Sequence, residues 1–450
     1  MSNKKQDFDV TEEEDNFEID TSDRLLRGRR RQESQNRTIL DGFLGNGPTV
    51  NVAGILPRYY GELLTWALNR HIENEKWKIV QTLGFHSREP VYIDVNTDYN
   101  QLQNLLMDGQ LLVKKGESRF IVTVDVNLKW RNSLQVEGSA REKNEVEKFV
   151  KRVMTIADKQ NFYHGKKIEF GGRLRFLNLN KRLWESIVLD KNIKSEIQAN
   201  TIEFLKRGNL WSNYGIPPKR GVLLAGEPGT GKTLICKALM AEAEDITCIT
   251  TSAYAFDGDD YVTELYELAN DLSPCIVFIE DIDLIGQNRE EYGYQKGPAL
   301  LSLLAVMDGI EEHTEIVTVA TTNCLDTLDK ALSQRPSRFD RVIKLRRPSL
   351  SERRELIRLL CLKIPVDEFT QDYISRKADG CTPAQLQEII FGLAIEHSNE
   401  LSGSEVHFSE DIIDQIITKL NRRNGHGIGF CVLNDRNNYN SELEKGINLI

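Results

Sequence analysis

Short apolar runs alternate with amphipathic segments along the central part of the chain. The runs cover residues 221–225, 246–251, 275–279, 316–321 and 342–345. Strands that are apolar along their whole length are typical of a parallel sheet whose two faces are both covered by helices. The pattern therefore predicts an α/β fold over residues 184–348, with a parallel sheet at its centre and helices on both faces.

The segment after Pro348 shows only helical periodicity. Apolar positions recur at helical spacing over residues 352–362, 370–378, 383–400 and 409–420. Consecutive amphipathic helices bury their apolar faces by packing against one another. The pattern therefore predicts a small helical lid domain over residues 349–421, and the polar sequence over 422–450 predicts a C-terminal tail.

Residues 50–175 mix both kinds of pattern. Helical periodicity predicts helices over 59–79, 102–107 and 142–159, and strands are predicted over 90–95 and 167–170. Two further strands are predicted within 111–126, joined at Gly116. We interpret this segment as an α+β N-terminal domain that binds a substrate or an adaptor.

The first 45 residues are poor in apolar side chains and carry their charges in two blocks. Acidic residues predominate between Asp7 and Asp20, and six arginines lie between Arg24 and Arg37. Such a composition buries too little apolar surface to offset the entropy of folding. It predicts a disordered charged tail over 1–45, whose arginine block is a candidate anchor for nucleic acid or for an acidic partner.

The overall composition narrows the class of protein. The 450 residues include 58 Lys and Arg against 68 Asp and Glu, so the formal charge is −10, which excludes a uniformly basic coat for nucleic acid. No stretch reaches the roughly 20 apolar residues of a membrane-spanning helix, and the acidic N-terminus differs from a secretory signal. Because the seven cysteines include no Cys-x-x-Cys pair, we expect buried thiols in a cytoplasmic protein.

A glycine-rich segment joins the first central strand to a predicted helix. It reads Gly226-Glu-Pro-Gly-Thr-Gly-Lys-Thr233 and follows the run 221–225. Its glycines let backbone N–H groups close around a phosphate chain, while Lys232 bridges the terminal phosphates and the Thr233 hydroxyl binds Mg²⁺. The spacing predicts a site for ATP and Mg²⁺. The candidate nucleotide-binding residues are Gly226, Glu227, Pro228, Gly229, Thr230, Gly231, Lys232, Thr233 and Leu234.

Two acidic residues follow the apolar run 275–279. The metal ion needs a carboxylate and the attacking water needs a group that orients it, and both belong at the end of a neighbouring strand. ATPases of this kind usually have Asp before Glu, whereas this chain has Glu280 before Asp281. We therefore assign the metal to Glu280 together with Thr233, and the water to Asp281. The shorter reach of aspartate leaves slower hydrolysis open, and we expect no chemistry from Asp283.

With these motifs in place, the segment from about 184 to 420 resembles an AAA ATPase module of the AAA+ superfamily. Asp308-Gly309-Ile310 match the family's intersubunit signalling turn, and Asn323 matches its polar sensor of the γ-phosphate. Arg335 and Arg338 match its arginine fingers. The resemblance implies that these arginines reach ATP bound by a neighbouring subunit, so that the chain acts as a homo-oligomer, most simply a hexameric ring.

The resemblance also implies contacts to the adenine base at Ile187, Val188 and Gly215. Ala384 stands where other branches of the family have a second-sensor arginine. In this respect the chain resembles the protein-remodelling branch, and residues 184–220 are similar to Bcs1-type translocases. In that branch an aromatic residue grips polypeptide; Tyr254 and Phe256 are candidates for it, and equally for packing beneath the sheet. No His-Glu-x-x-His motif occurs, which excludes a fused zinc protease.

Three functions follow as hypotheses. The first is a ring-forming chaperone-like ATPase that couples Mg-ATP hydrolysis to remodelling, unfolding or translocation of a protein client. The second is a nucleic-acid-associated ATPase of the loader type, anchored by the arginine block. The third is a slow, nucleotide-gated scaffold, suggested by the order of Glu280 and Asp281.

Overall fold

A computed structural model describes residues 36–84, 89–126, 132–171, 173–179, 184–252, 261–284, 298–309, 314–325, 339–396 and 406–424. The predicted functional residues Tyr254, Phe256, Arg335 and Arg338 lie outside these ranges. The chain divides into two compact units. The first comprises Met1–Phe162 with Gly172–Phe176, and the second comprises Tyr163–Gly171 with Leu177–Ile450.

The first unit is built on an antiparallel sheet. Its strands are β1 (Thr49–Leu56), β2 (Lys78–Leu83), β3 (Val91–Asp98), β4 (Gln101–Lys115), β5 (Ser118–Val126) and β6 (Asn132–Ser139). They are ordered β1-β6-β5-β4-β2, and β3 pairs with the first half of β4. The helices are α1 (36–44), α2 (Gly61–Asn74) and α3 (Lys143–Lys159), and a short strand β8 (Leu174–Phe176) completes the unit.

Helix α3 packs its apolar face on this sheet. Val146, Phe149 and Val153 are buried at helical spacing. The helix approaches closely at Gly138 of β6, where an added Cβ would lie 2.8 Å from the side chains of Phe120 and Val146. The predicted α+β class of the N-terminal segment is therefore confirmed.

Three predictions for this unit were wrong in detail. Residues 102–107, predicted as a helix, lie within β4. The sequence did not indicate a strand there, because three consecutive residues, Leu105, Leu106 and Met107, are buried and the apolar positions do not alternate with a period of two. The helix predicted over 59–79 ends at Asn74, and Lys78 begins β2. Residues 36–44, placed in a disordered tail, form a helix.

The second unit contains the predicted parallel sheet. Its strands are β7 (Lys167–Phe170), β9 (Lys219–Ala225), β10 (Thr247–Ser252), β11 (Cys275–Glu280), β12 (Ile316–Thr322) and β13 (Arg341–Lys344), in the order β13-β9-β12-β11-β10-β7. Every one of these neighbours pairs in parallel. The apolar runs in the central strands β11 and β12 are buried on both faces, as their composition requires.

Strand β7 corrects the predicted domain boundary. The sequence placed residues 167–170 in the N-terminal domain 50–175, yet Ile168 pairs with Ile249 of β10. The Lys167 ammonium group fixes this strand, since its Nζ donates to the carbonyl oxygen of Ile246 at 2.7 Å. The sheet of the second unit therefore includes a strand that precedes residue 184.

Helices surround the sheet and then form the lid. The helices of the sheet region are α4 (Lys191–Ala199), α5 (Ile202–Lys206), α6 (Gly208–Asn213), α7 (Lys232–Glu242), α8 (Tyr261–Asp271) and α9 (Pro298–Gly309). The lid consists of α10 (Leu350–Leu360), α11 (Glu368–Lys377), α12 (Pro383–Glu396) and α13 (Glu410–Asn424). The predicted order, a parallel sheet with helices followed by a helical lid, is confirmed.

A buried arginine fixes the start of the lid. Arg353 is 5% exposed, and its guanidinium donates to the carbonyl oxygens of Ser375 at 2.8 Å and Pro348 at 2.9 Å. It also pairs with Asp379 at 2.8 Å. A buried charge is tolerated only when its donors are satisfied, so these contacts hold α10 against the end of α11. Within the described ranges, no helix combines the length and apolarity needed to cross a membrane.

Candidate functional site

The topology of the parallel sheet brings the predicted motifs to one edge. Strand β12 lies between β9 and β11, and all three run in the same direction. Their carboxyl ends therefore meet, and open sheets of this class bind ligands at that edge. The loop Gly226–Thr233 follows β9, Glu280 ends β11, and Asn323 follows β12.

The glycine-rich loop adopts a conformation that few other residues permit. Gly229 and Gly231 have φ values of +82° and +97°, which favour glycine. At Gly226 an added Cβ would lie 2.8 Å from the carbonyl oxygen of Leu345. The Thr230 hydroxyl closes the turn by donating to the carbonyl oxygen of Glu227 at 2.8 Å. The loop is thus curved tightly at the start of α7, the arrangement that binds phosphate.

Lys232 lies at the centre of this curve. Its side chain is buried, and Nζ donates to the carbonyl oxygens of Gly226 at 2.7 Å and Glu227 at 3.1 Å. Nζ also donates to Asn323 Oδ1 at 2.7 Å. Burial lowers the pKa of Lys232, and the nearby Asp281 and Asp283 oppose that shift. An ammonium group held among oxygen acceptors fits the binding of phosphate oxygens.

The two predicted metal ligands lie within hydrogen-bond distance of each other. Thr233 Oγ1 donates to Glu280 Oε2 at 3.3 Å. Burial raises the pKa of Glu280, and the hydrogen bond from Thr233 opposes that shift. A hydroxyl and a carboxylate are the oxygen ligands that Mg²⁺ takes beside a phosphate, so the residues present fit the predicted ion.

We expect Glu280→Gln to stabilise the nucleotide-free protein. Removing a desolvated charge at a functional site raises the free energy of unfolding by about 0.5–2 kcal/mol. Because burial raises the pKa of Glu280 above its ordinary 4.5, the folded carboxylate is disfavoured once the pH exceeds that value. This gain in the free energy of unfolding should vanish at low pH, where the Glu280 carboxyl is protonated in both the folded and the unfolded protein. It should grow as the pH rises through the folded-state pKa.

Urea unfolding of wild type and variant, from about pH 4, near the ordinary carboxyl pKa, to about pH 8, tests this expectation. Glu355→Gln is the matched control, because Glu355 is exposed and pairs with Arg358 at 2.7 Å. The control should change stability by less than about 0.5 kcal/mol. A variant at Glu280 that is less stable than wild type at pH 7 would contradict the expectation.

Asn323 connects the lysine to the acidic residues. Its Nδ2 donates to Asp281 Oδ1 at 3.1 Å, and its backbone N–H donates to Asp283 Oδ1 at 3.1 Å. Asp281 has a φ of +52°, and its backbone N–H donates to the Thr321 hydroxyl oxygen at 3.0 Å. Aspartate is enriched several-fold at such φ values, which gives a local reason for aspartate at this position. Asp283, from which no chemistry is expected, accepts the hydrogen bond from the Asn323 N–H and so fixes the backbone of Asn323.

The predicted adenine contacts lie on elements next to the loop. Ile187 is buried in the apolar core that also contains Ile235 and Leu239 of α7, and Leu234 packs against the same core. Val188 is half-buried, and Pro228 and Gly215 are exposed, the latter with a φ of +67°. The role of Ile187, Val188 and Gly215 toward the adenine base stays a prediction. Asp308 and Gly309 are the last residues of α9 in the described part of the chain.

The lid contacts the phosphate-binding loop directly. The backbone N–H of Ala384 donates to the carbonyl oxygen of Gly229 at 3.2 Å. Arg347, which lies between β13 and α10, pairs with Glu227 of the loop at 2.6 Å. The sequence motifs did not single out Arg347, because nothing within the short range of residue 347 indicates a partner 120 positions earlier.

These features define a P-loop nucleotide-binding domain with a helical lid. Residues 222–347 match the family described as "ATPase family associated with various cellular activities (AAA)". The AAA resemblance seen in the sequence is therefore confirmed over residues 222–347, whereas the similarity to Bcs1-type translocases stays a prediction.

Similar proteins match somewhat less than half of the chain. One is the ATP-dependent zinc metalloprotease FtsH 3 of Sorangium cellulosum, 37% identical over 220 residues that cover 46% of this chain and 36% of the relative. Another is the proteasome-activating nucleotidase of Sulfurisphaera tokodaii, 37% identical over 196 residues that cover 41% of this chain and 50% of the relative. The chain thus spans half or less of the length of these relatives.

Proposed function

We propose that the chain is an ATP hydrolase whose turnover drives the remodelling, unfolding or translocation of a protein client. The observation that carries this proposal is that two sets of hydrogen-bonded side chains lie at the same edge of the sheet. Lys232 donates to Asn323 at 2.7 Å, Asn323 donates to Asp281 at 3.1 Å, and Thr233 donates to Glu280 at 3.3 Å. Groups for phosphate, metal and water are therefore preassembled in one place.

Each residue has a distinct part in the proposed hydrolysis. The loop N–H groups and Lys232 bind and orient the phosphate chain, and Thr233 and Glu280 would hold Mg²⁺. Bound there, the ion neutralises charge on the phosphate oxygens. Asp281 and Asn323 orient the attacking water, and the Asp281 carboxylate accepts a proton from it. Arg335 and Arg338 would supply positive charge from a neighbouring subunit.

The relatives favour a protein client. Their names refer to a protease and to activation of the proteasome, which are activities on polypeptides. We assign recognition of the client or adaptor to the first unit and place the protein in the cytoplasm. The assembly we propose is a homo-oligomeric ring, since a finger acting in trans requires a neighbour. Nucleic acid is less well supported, because the formal charge of the chain is −10.

Mixing two inactive variants tests the proposed ring. Arg335→Ala or Arg338→Ala should still bind ATP and assemble, with turnover reduced about 10³-fold, because an arginine finger contributes to the transition state and not to binding. Mixing Arg335→Ala with Lys232→Ala should restore part of the activity, since each protein supplies what the other lacks. Steady-state phosphate release measures it.

The control for this mixture is Arg335→Ala combined with a Lys232→Ala/Arg335→Ala double variant, which has no finger to donate and should restore nothing. Full activity of either finger variant by itself would refute the assignment of these arginines. If mixing the single variants does not raise the activity, the action of these arginines in trans is refuted.

A further inference from the structure

The junction between the sheet region and the lid carries an arginine with two partners on different elements. Arg347 Nε and Nη2 donate to the same Glu227 carboxylate oxygen, Oε2, at 3.0 Å and 2.6 Å. Arg347 Nη1 donates to the carbonyl oxygen of Gly380 at 2.7 Å. Glu227 belongs to the phosphate-binding loop, and Gly380 lies in the lid between α11 and α12. The Arg347 guanidinium therefore connects the phosphate-binding loop to the lid.

A second contact links the same two segments. The Ala384 N–H donates to the carbonyl oxygen of Gly229, and an added Cβ at Gly229 would lie 2.9 Å from Thr382 Oγ1 and 3.0 Å from the Ala384 Cβ. The start of α12 thus touches the loop two residues beyond Glu227. With contacts at two neighbouring loop positions, the lid cannot shift without changing the surroundings of the loop.

The adjacent arginine repeats this arrangement on the other side of the junction. Arg346 pairs with Glu352 of α10 at 3.1 Å, and its guanidinium lies 3.6 Å from the carboxylate of Asp190. Asp190 caps α4 and follows the predicted adenine segment. Two consecutive arginines at the junction therefore each connect the lid or its first helix to an element beside the nucleotide site.

We propose that Arg347 is a positioning residue that clamps the lid to the phosphate-binding loop through Glu227, and so controls how fast nucleotide leaves the site. This inference rests on the proposed function, because it assigns a regulation to the same site. The guanidinium fork suits the task, since it binds a carboxylate and a carbonyl at once, which a lysine ammonium on a flexible stem does less precisely.

The Arg347–Glu227 ion pair is exposed to solvent. The Arg347 and Glu227 side chains are 51% and 57% exposed. Exposed ion pairs contribute little to global stability, so the fold should survive their removal. Removing the pair instead weakens the contact between the lid and the phosphate-binding loop. A coupling of this kind between lid and loop alters ligand affinity while leaving the fold intact.

The test is the dissociation rate of a fluorescent ADP from the full-length protein, measured by stopped flow for wild type, Glu227→Ala, Arg347→Ala and the double variant. Each single variant should release the nucleotide about five times faster or more, as expected for a modest coupling between sites. The double variant should be no faster than the singles, because both remove the same contact. In steady state, Arg347→Ala should raise KM for ATP while kcat does not fall.

Arg358→Ala is the matched control, since Arg358 is an equally exposed lid arginine that pairs with Glu355. Its release rate should equal that of wild type. Arg347→Lys should give an intermediate rate. Release by Arg347→Ala within twofold of wild type, or effects that multiply in the double variant, would overturn the clamp. Nucleotide binding without hydrolysis by wild type would refute the proposed function and leave the clamp testable; no binding by wild type would refute both.

Discussion

Lys232→Ala is expected to abolish detectable nucleotide binding. The side chain is buried, and Nζ is surrounded by the carbonyl oxygens of Gly226 and Glu227 and by Asn323 Oδ1. Without the ammonium group, the phosphates of a nucleotide would face these oxygens with no neutralising charge. Truncating one partner of a buried charge pair lowers affinity by about a hundredfold or more. Calorimetric titration of ADP into the variant measures the loss.

The control for this variant is Lys237→Ala. Lys237 lies on the same helix α7, five positions later, but its side chain is exposed. The control should keep its affinity within about a factor of two, since an exposed charge is largely screened. Affinity of the Lys232→Ala protein within tenfold of wild type would show that phosphate is bound elsewhere and would contradict the assignment of the loop.

Asp281→Asn is expected to bind ATP normally and to hydrolyse it about 10² to 10⁴ times more slowly, the usual contribution of a group that accepts or orients a proton. The substitution removes the charge while an amide oxygen can still accept from Asn323 Nδ2, which now donates to Asp281 at 3.1 Å. The variant should therefore lose turnover while it keeps its affinity for ATP. Single-turnover hydrolysis, together with the affinity for ATP, measures the effect.

Glu267→Gln is the control for this second variant, because it removes a carboxylate from an exposed position on α8. Turnover of the control should match wild type. If Asp281→Asn kept more than about half of the wild-type rate, another group would orient the water. Negligible turnover by the wild type itself, with tight ATP binding, would instead favour the nucleotide-gated scaffold.

The sequence predicted the contiguous parts of the site well. The loop Gly226–Thr233 is recognisable because its function depends on residues next to one another. The proximity of Asn323 to Glu280 was also predictable in principle, since both follow apolar runs and parallel strands end at one edge. The helical lid was predictable because four amphipathic segments follow one another without a strand.

Contacts between distant residues were not predictable. The pair of Glu227 and Arg347 joins positions 120 residues apart, and no local pattern marks either of them. Residues 102–107 place Leu102, Leu105 and Leu106 at helical spacing, but pairing with β3 makes the segment part of a strand. Strand β7 was assigned to the wrong domain for the same reason, because its partner β10 lies about 80 residues later.

The central claim is ATP turnover that depends on assembly and serves a protein client. The most direct test is the rate of phosphate release with Mg-ATP as a function of protein concentration, with particle size measured in parallel. The same series is repeated with an unfolded polypeptide, single-stranded DNA and RNA. We predict a rate per subunit that rises cooperatively with assembly and is increased by polypeptide alone. A rate per subunit that is independent of concentration in a monomeric protein, or stimulation by nucleic acid alone, would contradict the account.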